Sequence, residues 1–442
     1  MLRRCLKLIP LLLFASIFIV SSITALSEDL KSVKVDLLKN SYSLNETYLL
    51  NIKNGVQALN DNKLSSSVAM PFSIPSFKLG DELLFTKHKK LIDGKKVGLI
   101  TNQTGVNSSG ESIITLLSNY KSTTLVALYG PEHGIDGKVK AGDYVKSYIH
   151  QSLNIPVYSL YGDTRKPTKD MLLNIDVLIF DIQDIGSRSY TYISTLNYCM
   201  VAAAEYNIPI IVLDRPNPLG GQIVDGPMLE DKYITFVGID NLPTCHGMTV
   251  GELANFFNRK IGANVTVVPM EGYGRDMIFQ DTKLKWTQSS PYMPDIDSVF
   301  GYAATGLGEG TSIRQDDSFK WVGGIGINSD KYAKLLNDAD LPGIKFIADT
   351  KGSSGGVTLQ ITDYRKFNPA KTGIYTLSYG KLLNKFKVPK SSETIVMFDK
   401  IMGSDKIGIY LEMGYTPQQI EESYKKDLEN FKKERLKYLI YK

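Results

Sequence analysis

Short apolar runs alternate with helix-like stretches between residues 95 and 213, and this alternation predicts a parallel sheet. Five runs have the length and composition of buried strands: 95–101, 125–129, 157–160, 176–180 and 208–213. Helix-like stretches separate most of them, as they do in folds built from β-α-β units. We therefore expect an α/β fold whose N-terminal domain contains a Rossmann-like parallel sheet.

Polar residues follow four of these runs at the point where each run ends. Glu132 and His133 follow the second run, and Asp163 and Arg165 follow the third. The carboxyl ends of parallel strands meet at one edge of a sheet, where open α/β folds bind their ligands. We therefore expect a crevice in which residues distant in sequence come together, namely Glu132, Asp184, Arg188, Asp214 and Arg215.

The alternation of strand-like and helix-like segments changes after Asp225, and this change indicates a second, smaller α/β domain. Thr249 is suited to cap a helix at 250–258, because its side chain can accept a hydrogen bond from a free backbone amide. The segments 265–268 and 357–362 have the composition of strands in a more mixed domain. A long amphipathic helix is predicted at 416–441.

The N-terminal part of the chain has the order of an export signal. Basic residues precede an apolar stretch at 8–20, and small or β-branched residues follow as far as Ala25. We expect a signal peptide at 1–25, a leader or linker at 26–76, and a secreted or extracytoplasmic protein without a stable membrane span after cleavage. The alternative is a signal that stays attached as a membrane anchor.

Length and composition bound the remaining choices. A chain of 442 residues favours two domains, here a catalytic domain at 77–262 and a C-terminal domain at 263–442 that completes the cleft. The net charge of +5 is mild and forms no basic stripe interleaved with aromatics, which excludes nucleic acid as an expected partner. Nothing in the sequence indicates an oligomeric state.

Cysteine and histidine usage argues against a metal centre. The chain has three cysteines and four histidines without the spacing of a metal site, so we expect no metal ligands. Cys199 and Cys245 are expected to be free, buried thiols, with a disulfide as the alternative. No Walker lysine and no strand–GxGxxG–helix unit is present, so we expect no cofactor.

The candidate catalytic residues are carboxylates. Glu132 lies at a strand end beside apolar Leu128 and Tyr129, a setting that suits a general acid; the alternative is a glutamate that caps the following turn. Asp184 is the favoured second carboxylate, with Glu309 and Asp214 behind it.

The binding candidates include an arginine, two tyrosines and polar strand-end residues. Arg188 can pair with a carboxylate, and Tyr190 and Tyr192 can serve as sugar platforms; alternatively, Arg188 braces Asp184 and the tyrosines pack in a helix core. The full set of candidates for substrate binding is Asn102, His133, Arg188, Tyr190, Tyr192, Asp214, Arg215, Asn217 and His246.

Ten motifs in order carry a family resemblance from about Phe77 to the C-terminus. Among them are TNQTGV, PEHG, FDIQDIGSRSYTYIST, VLDRPNP, HGMTVGELA, EGT and FNPAKTG. Together they resemble the secreted exo-β-N-acetylmuramidase family of NamZ-type glycoside hydrolases. The resemblance implies an active site in the cleft between two domains. It also implies removal of non-reducing terminal N-acetylmuramic acid from peptidoglycan-derived muropeptides, with Arg188 or Arg215 suited to the lactyl carboxylate.

The chain departs from the family pattern at three places. The segment 312–317 follows Glu309 where a Gly-Arg-Gly segment is common, Cys245 stands where an arginine is common, and Ser189 where an aromatic is common. These departures leave open a second function class, a secreted carbohydrate-binding protein on the same scaffold without turnover.

Overall fold

The structure of the protein is a computed structural model that describes residues 77–442 in full and, before them, the backbone of four short strands. The chain forms two compact units, residues 1–77 and 78–442. In the first unit β1 pairs with β2 and β3 with β4, both antiparallel; the strands are β1 Val20–Leu26, β2 Val33–Leu37, β3 Thr47–Ile52 and β4 Val68–Ser73. The predicted signal at 1–25 and leader at 26–76 otherwise lie outside the described residues.

The second unit, 78–442, contains the remaining strands and all ten helices of the described residues. Its strands are β5 Lys96–Thr101, β6 Thr124–Gly130, β7 Tyr148–Ile149, β8 Pro156–Ser159, β9 Val177–Asp181, β10 Ile210–Leu213, β11 Asp225–Met228, β12 Pro243–Cys245, β13 Val265–Val268, β14 Arg314–Asp316, β15 Trp321–Ile325, β16 Ile344–Lys351 and β17 Ser354–Ile361. Its helices are α1 Gly80–Leu84, α2 Ile113–Asn119, α3 Tyr192–Glu205, α4 Val250–Ile261, α5 Ile296–Thr305, α6 Ser329–Asp338, α7 Pro369–Asn384, α8 Met397–Met402, α9 Lys406–Glu412 and α10 Pro417–Arg435.

The large sheet of this unit has seven strands in the order β13-β10-β9-β5-β6-β8-β7. Every neighbouring pair is parallel except β7 and β8. The predicted parallel α/β sheet is therefore confirmed. The chain runs from β5 outward to β6 and β8, then returns to β9 on the other side of β5. Such a reversal is where open α/β sheets bind their ligands.

The position of Val265–Val268 corrects one prediction. This segment was assigned to the second domain, but it pairs in parallel with β10 as the edge strand of the large sheet. Helix α4 lies between β10 and this edge strand, so the β-α-β pattern of the first half of the chain extends to β13. The predicted strand at 357–362 lies in β17, within a four-stranded antiparallel sheet of order β14-β15-β17-β16.

Alternation along the strands places the core on both faces of the large sheet. Leu99, Ile179 and Ile211 are buried in one apolar cluster, whereas the next residues, Ile100, Phe180 and Val212, belong to the other. Successive side chains of a strand point to opposite faces, so the near-continuous apolar runs in the sequence are those of strands covered on both sides.

Side-chain hydrogen bonds are found at the start of helix α4 and beyond the end of helix α10. Helix α4 begins with the predicted Thr249 cap, whose hydroxyl accepts a hydrogen bond from the Glu252 amide at 3.3 Å. Helix α10 ends at Arg435, six residues before the predicted end at 441. Beyond its end, the backbone amides of Ile440 and Tyr441 donate to the buried Glu252 carboxylate, so the last residues bind to the first turn of helix α4.

Two further observations concern the described part of the chain. Cys199 and Cys245 are free and buried, which confirms the prediction made for them. No helix among the described residues is long and apolar enough to cross a bilayer.

Candidate active site

A cavity of about 560 Å³ lies among loops that include those following β6 and α5. We call it the glutamate cavity, because Glu132 and Glu309 both line it. Its other polar or aromatic wall residues are His133, Tyr161, Ser189, Tyr190, Thr191, Ser290, Tyr292, Tyr302, Gln315, Asp316, Asp317, Ser318 and Phe319. Residues from both halves of the unit 78–442 thus meet in one site.

Glu132 is held by donors on both of its carboxylate oxygens. The Gly142 amide donates to Oε1 at 2.9 Å, and the Thr191 hydroxyl donates to Oε2 at 2.6 Å. The side chain is buried, with 8 % of the residue exposed. Two donors aimed at one carboxylate suit the ionised form of this group.

The loop that carries Glu132 is tightly constrained. His133, the next residue, has a φ of 71°, in the left-handed region that non-glycine residues rarely adopt. Its ring Nδ1 lies 2.7 Å from the Val139 carbonyl oxygen, which holds the imidazole against the loop. A strained residue at a cavity wall is typical of a functional site.

Tyr161 links Glu132 to an arginine at the edge of the cavity. Burial, and after it the charge of Glu132 and a hydrogen bond to Glu132, raise the pKa of Tyr161 to about 12. The Arg165 guanidinium acts on the Tyr161 pKa in the opposite direction and lies 3.7 Å above the Tyr161 ring. Glu132 and Arg165 therefore both interact with the Tyr161 side chain.

Glu309 differs from Glu132 in its electrostatic setting. Its side chain is open to solvent, yet the surrounding protein partly desolvates it and raises its pKa, and the charge of Glu132 raises the pKa further. Burial, followed by the charge of Glu309, also raises the pKa of Tyr302 on the cavity wall. The charge of Glu132 therefore reaches Glu309 and favours its protonated form.

Two tyrosines predicted as sugar platforms take different positions. Tyr190 lines the cavity, and its hydroxyl lies 2.8 Å from the Ser289 hydroxyl. Tyr192 packs edge-on against Tyr190 with ring centroids 4.9 Å apart, and its hydroxyl donates to the Ser289 carbonyl in the interior. Only Tyr190 of the pair therefore presents a surface to the cavity.

Comparison with known proteins identifies the family of the chain. The model of the N-terminal domain of exo-beta-N-acetylmuramidase NamZ matches residues 97–297, and that of its C-terminal domain matches residues 300–441. The chain belongs to the exo-β-N-acetylmuramidase NamZ family. The family prediction made from the sequence is confirmed, and with it the prediction that the chain belongs to a family of glycosidases.

Individual NamZ relatives cover most of the chain. Over 384 residues it is 44 % identical to the peptidoglycan beta-N-acetylmuramidase NamZ of Bacillus subtilis, a match that spans 83 % of this chain and 92 % of the relative. Two solved DUF1343 family proteins of Bacteroides fragilis have TM-scores of 0.75 and 0.63 at 38 % and 26 % identity. Each match covers 83 % of this chain and 99 % of the other.

Arg188, predicted to bind the substrate carboxylate, has a different place in this NamZ chain. Its guanidinium is buried and donates to three backbone carbonyls, those of Pro227, Leu242 and Ile401, at 2.6–2.7 Å. Burial lowers the pKa of Arg188 to about 9, since no carboxylate among the described residues pairs with it. Arg188 does not line the cavity and instead joins three segments of the chain.

Arg215 is likewise engaged inside the protein. Its Nε and Nη2 donate to the two oxygens of Asp181 at 2.6 and 2.9 Å, and Nη2 also reaches Asp81 at 3.3 Å. All three side chains are at most 3 % exposed. Burial raises the pKa of Asp81 to about 7 despite the Arg215 charge. The Arg215 guanidinium, which was predicted to bind the substrate, is therefore bonded to two buried aspartates.

Asp184, the favoured second carboxylate, does not line the cavity either. Its Oδ2 accepts a hydrogen bond from the Gly186 amide at 2.8 Å and lies 3.8 Å from His246 Nε2. Burial raises the pKa of Asp184 to about 7 and lowers that of His246 to about 3. Of the three candidates for the second carboxylate, only Glu309 lines the cavity with Glu132, and His246 is an interior residue.

Three further candidates form hydrogen bonds within the protein. Asp214 accepts hydrogen bonds from the Thr249 and Tyr441 hydroxyls at 2.8 and 2.6 Å. Asn217 donates to the Met248 carbonyl at 3.0 Å, and the Asn102 side chain accepts from the Thr104 amide at 2.9 Å. None of the three lines the cavity.

Several wall residues were not among the predicted candidates. Tyr161 follows a strand whose polar end the sequence did indicate, so that signal was available. Asp317, Ser318 and Phe319 form a turn between β14 and β15 in which all three have positive φ. Nothing in their residue types predicts this conformation, because left-handed backbone favours glycine.

A metal site is not visible in the described part of the chain. No group of three or more histidine, cysteine, aspartate or glutamate side chains among residues 77–442 could hold a metal ion.

Proposed function

We propose that this chain is an exported glycoside hydrolase that removes non-reducing terminal N-acetylmuramic acid from peptidoglycan fragments. The observation that carries the proposal is the presence of Glu132 and Glu309 in one cavity with different electrostatic settings. Glycosidases need one protonated carboxyl group at the leaving oxygen and usually a second carboxylate. The NamZ family membership and the named activity of the Bacillus relative support the choice of sugar.

The environments of the two glutamates support a division of roles between them. Glu309, whose pKa is raised by partial burial and by the charge of Glu132, protonates the glycosidic oxygen as the bond to the leaving group breaks. Glu132, whose oxygens accept hydrogen bonds from Gly142 and Thr191, is the second carboxylate and acts at the anomeric carbon, directly or through a water. This reverses the role of Glu132 expected from the sequence.

The cavity wall supplies groups for a sugar ring. Tyr190 and Tyr302 offer aromatic surface, and their ring centroids lie 5.7 Å apart in an edge-on arrangement. Hydroxyl and carboxylate groups on the wall, including those of Ser290 and Asp316, can bond to sugar hydroxyls.

The deciding experiment is the release of chromophore from an aryl N-acetylmuraminide by the purified protein without added metal. We expect turnover with a rate that falls as the pH rises through the raised pKa of Glu309, because the acid must be protonated. In Glu309→Gln that alkaline limb should disappear and the rate on a poor leaving group should fall.

The same assay separates the second function class. A carbohydrate-binding protein would give binding heat with N-acetylmuramic acid in calorimetry but no chromophore release. Loss of all activity in chelator, with recovery on adding a divalent cation, would contradict a reaction carried by two carboxyl groups alone.

Export belongs to the proposal and has its own test. The basic, apolar and small-residue order of the first 25 residues supports it. Expression of the full chain in a secreting host should yield a mature protein whose N-terminal sequence begins after Ala25. Recovery of the uncleaved chain in the membrane fraction would favour the anchor.

A further inference from the structure

The substrate named above carries an anion for which the glutamate cavity supplies no strong cation. N-acetylmuramic acid differs from N-acetylglucosamine by a lactyl ether with a carboxylate. Four acids line the cavity, namely Glu132, Glu309, Asp316 and Asp317, and no lysine or arginine is among its described wall residues. A cation that binds the lactyl carboxylate must therefore come from a residue adjacent to the lining residues of the cavity.

Most arginines of the described chain are already engaged. Arg215, Arg259, Arg275 and Arg365 pair with carboxylates, and Arg188 and Arg435 donate to backbone carbonyls. Arg314 lies 3.8 Å from Asp316 and donates to Ser354, so it offsets an acid of the cavity rim.

Arg165 is the exception. Its guanidinium carbon lies 3.7 Å above the ring of Tyr161 and 5.4 Å from that of Phe236. Its Nη1 donates to the Gly162 carbonyl at 3.1 Å, which uses one of its five N–H donors. No carboxylate among the described residues lies within ion-pair distance of it.

The stacking fixes the guanidinium at the cavity wall. Tyr161 forms that wall and interacts with Glu132 through its hydroxyl and with Arg165 through its ring face. A planar guanidinium held on an aromatic face loses little freedom when it binds a carboxylate in a bidentate manner. Arg165 thus has the position and the free donors that Arg188 and Arg215 lack.

We propose that Arg165 binds the lactyl carboxylate of the substrate beside Tyr161 and thereby sets the preference for N-acetylmuramic acid over N-acetylglucosamine. This inference rests on the proposed function and adds the residue that distinguishes the two sugars. Because the contact lies at the lactyl group and not at the bond that breaks, Arg165 acts mainly on KM.

The test compares three aryl glycosides in the full-length parent protein and in Arg165→Met. The glycosides are those of N-acetylmuramic acid, its lactyl methyl ester and N-acetylglucosamine. We expect kcat/KM for the acid to fall roughly 10- to 100-fold in the variant, through KM, as for loss of a charge-assisted hydrogen bond. The values for the ester and the glucosamine glycoside should change by less than about threefold, since neither carries the anion.

Two further variants keep the inference falsifiable. Arg165→Lys keeps the positive charge without the planar guanidinium and should retain part of the preference for the acid over the ester. This variant also provides the test if Arg165→Met does not fold. Lys140→Met removes an exposed positive charge next to Ala141, which lines the cavity, and should leave the ratio of acid to ester unchanged.

The outcomes separate this inference from the proposed function. An active parent with an unchanged acid-to-ester ratio in Arg165→Met, or an equal loss on all three substrates, would overturn the role of Arg165 and leave the muramidase activity in place. A loss of the ratio in Lys140→Met instead would assign the anion to Lys140. A parent that cleaves none of the three glycosides would overturn the proposed function itself.

Discussion

The glutamate cavity and the buried polar groups beside β9 and β10 both contain several acidic side chains but differ in the groups that surround those side chains. We call the second region the polar layer; its charged members are Asp81, Asp181, Asp184, Arg188, Asp214 and Arg215. In the polar layer most charged groups have protein partners, such as the bidentate Arg215–Asp181 pair. In the cavity, two glutamates share one open space with no basic residue among its described wall residues.

This difference shows that residue type at a strand end does not separate catalysis from architecture. A buried charge is costly unless it is paired, so a fold that places charges inside must complete their hydrogen bonds. A catalytic group must keep part of its bonding capacity for the substrate. The cavity differs from the polar layer in its open space and in having no basic residue among its described wall residues, whereas the polar layer itself contains buried atoms without a partner, such as Asp184 Oδ1 and Arg188 Nε.

The largest expected effect is on the cavity side, in Glu132→Gln. The change keeps the shape of the side chain but removes the charge that acts at the anomeric carbon. We expect kcat to fall roughly 10²- to 10⁴-fold, with the melting temperature within a few degrees of the parent. Steady-state kinetics on the aryl N-acetylmuraminide and a thermal melt decide this. Activity within a few-fold of the parent would remove Glu132 from the chemistry.

The corresponding change in the polar layer is Arg215→Met, which should affect stability and not turnover. It leaves Asp181 and Asp81 buried without their cation, and breaking such a pair costs about 3–5 kcal/mol. Urea unfolding measures the loss, and the folded fraction should keep the parent KM. The control Arg365→Met breaks an exposed pair with Asp281 and should cost at most about 1 kcal/mol. A large change in KM with little loss of stability would place Arg215 in substrate binding after all.

Asp184→Asn sharpens the comparison through pH. Burial raises the pKa of Asp184 in the folded protein to about 7, whereas an aspartate in the unfolded chain titrates near 4. As the pH falls from about 7 to about 4, the folded protein takes up a proton that the unfolded chain does not, so this group makes the protein more stable at lower pH. Above about pH 7 both states are ionised and the full penalty of burying the charge applies.

The asparagine variant carries no such charge. We expect it to be more stable than the parent by a few kcal/mol at about pH 8, with the difference lost near pH 4. Activity should stay within a few-fold of the parent, because Asp184 does not line the cavity. A loss of turnover as large as that expected for Glu132→Gln would return Asp184 to the catalytic pair.

The sequence predicted the sheet more completely than the site, for a physical reason. Strands buried on both faces produce continuous apolar runs, and the ends of these runs can be identified directly in the sequence. The partners of a polar side chain cannot, because they lie far away along the chain: Arg188 donates to carbonyls 39, 54 and 213 residues beyond it. Backbone carbonyls also leave no mark in the sequence, so a structural arginine resembles a binding one.

Glu309 shows in the same way that the sequence does not indicate which distant residues come together. It lies in a glycine-rich loop that is distant along the chain from the strand ends of the sheet. Only the fold brings that loop to Glu132, where the charge of each glutamate reaches the other. Glu132, His133 and Tyr190 also line the cavity, and their loops follow directly from strand ends of the sheet.

The smallest expected effect lies in the polar layer, at the end of the chain. The Tyr441 hydroxyl donates to Asp214 Oδ2 at 2.6 Å and accepts from the Met270 amide at 2.8 Å. Tyr441→Phe removes both bonds in the interior and should lower the free energy of unfolding by about 1–2 kcal/mol, with unchanged kcat and KM.

A matched control is Tyr438→Phe, which removes a hydrogen bond to Glu434 on the same terminal segment. That bond joins residues four apart, so its loss should change stability by less than about 0.5 kcal/mol. If Tyr441→Phe were as neutral as this control, the last residues would not anchor the Asp214 side of the polar layer. If it reduced turnover instead, the polar layer and the cavity would be coupled, and the division between the two regions would fail at this point.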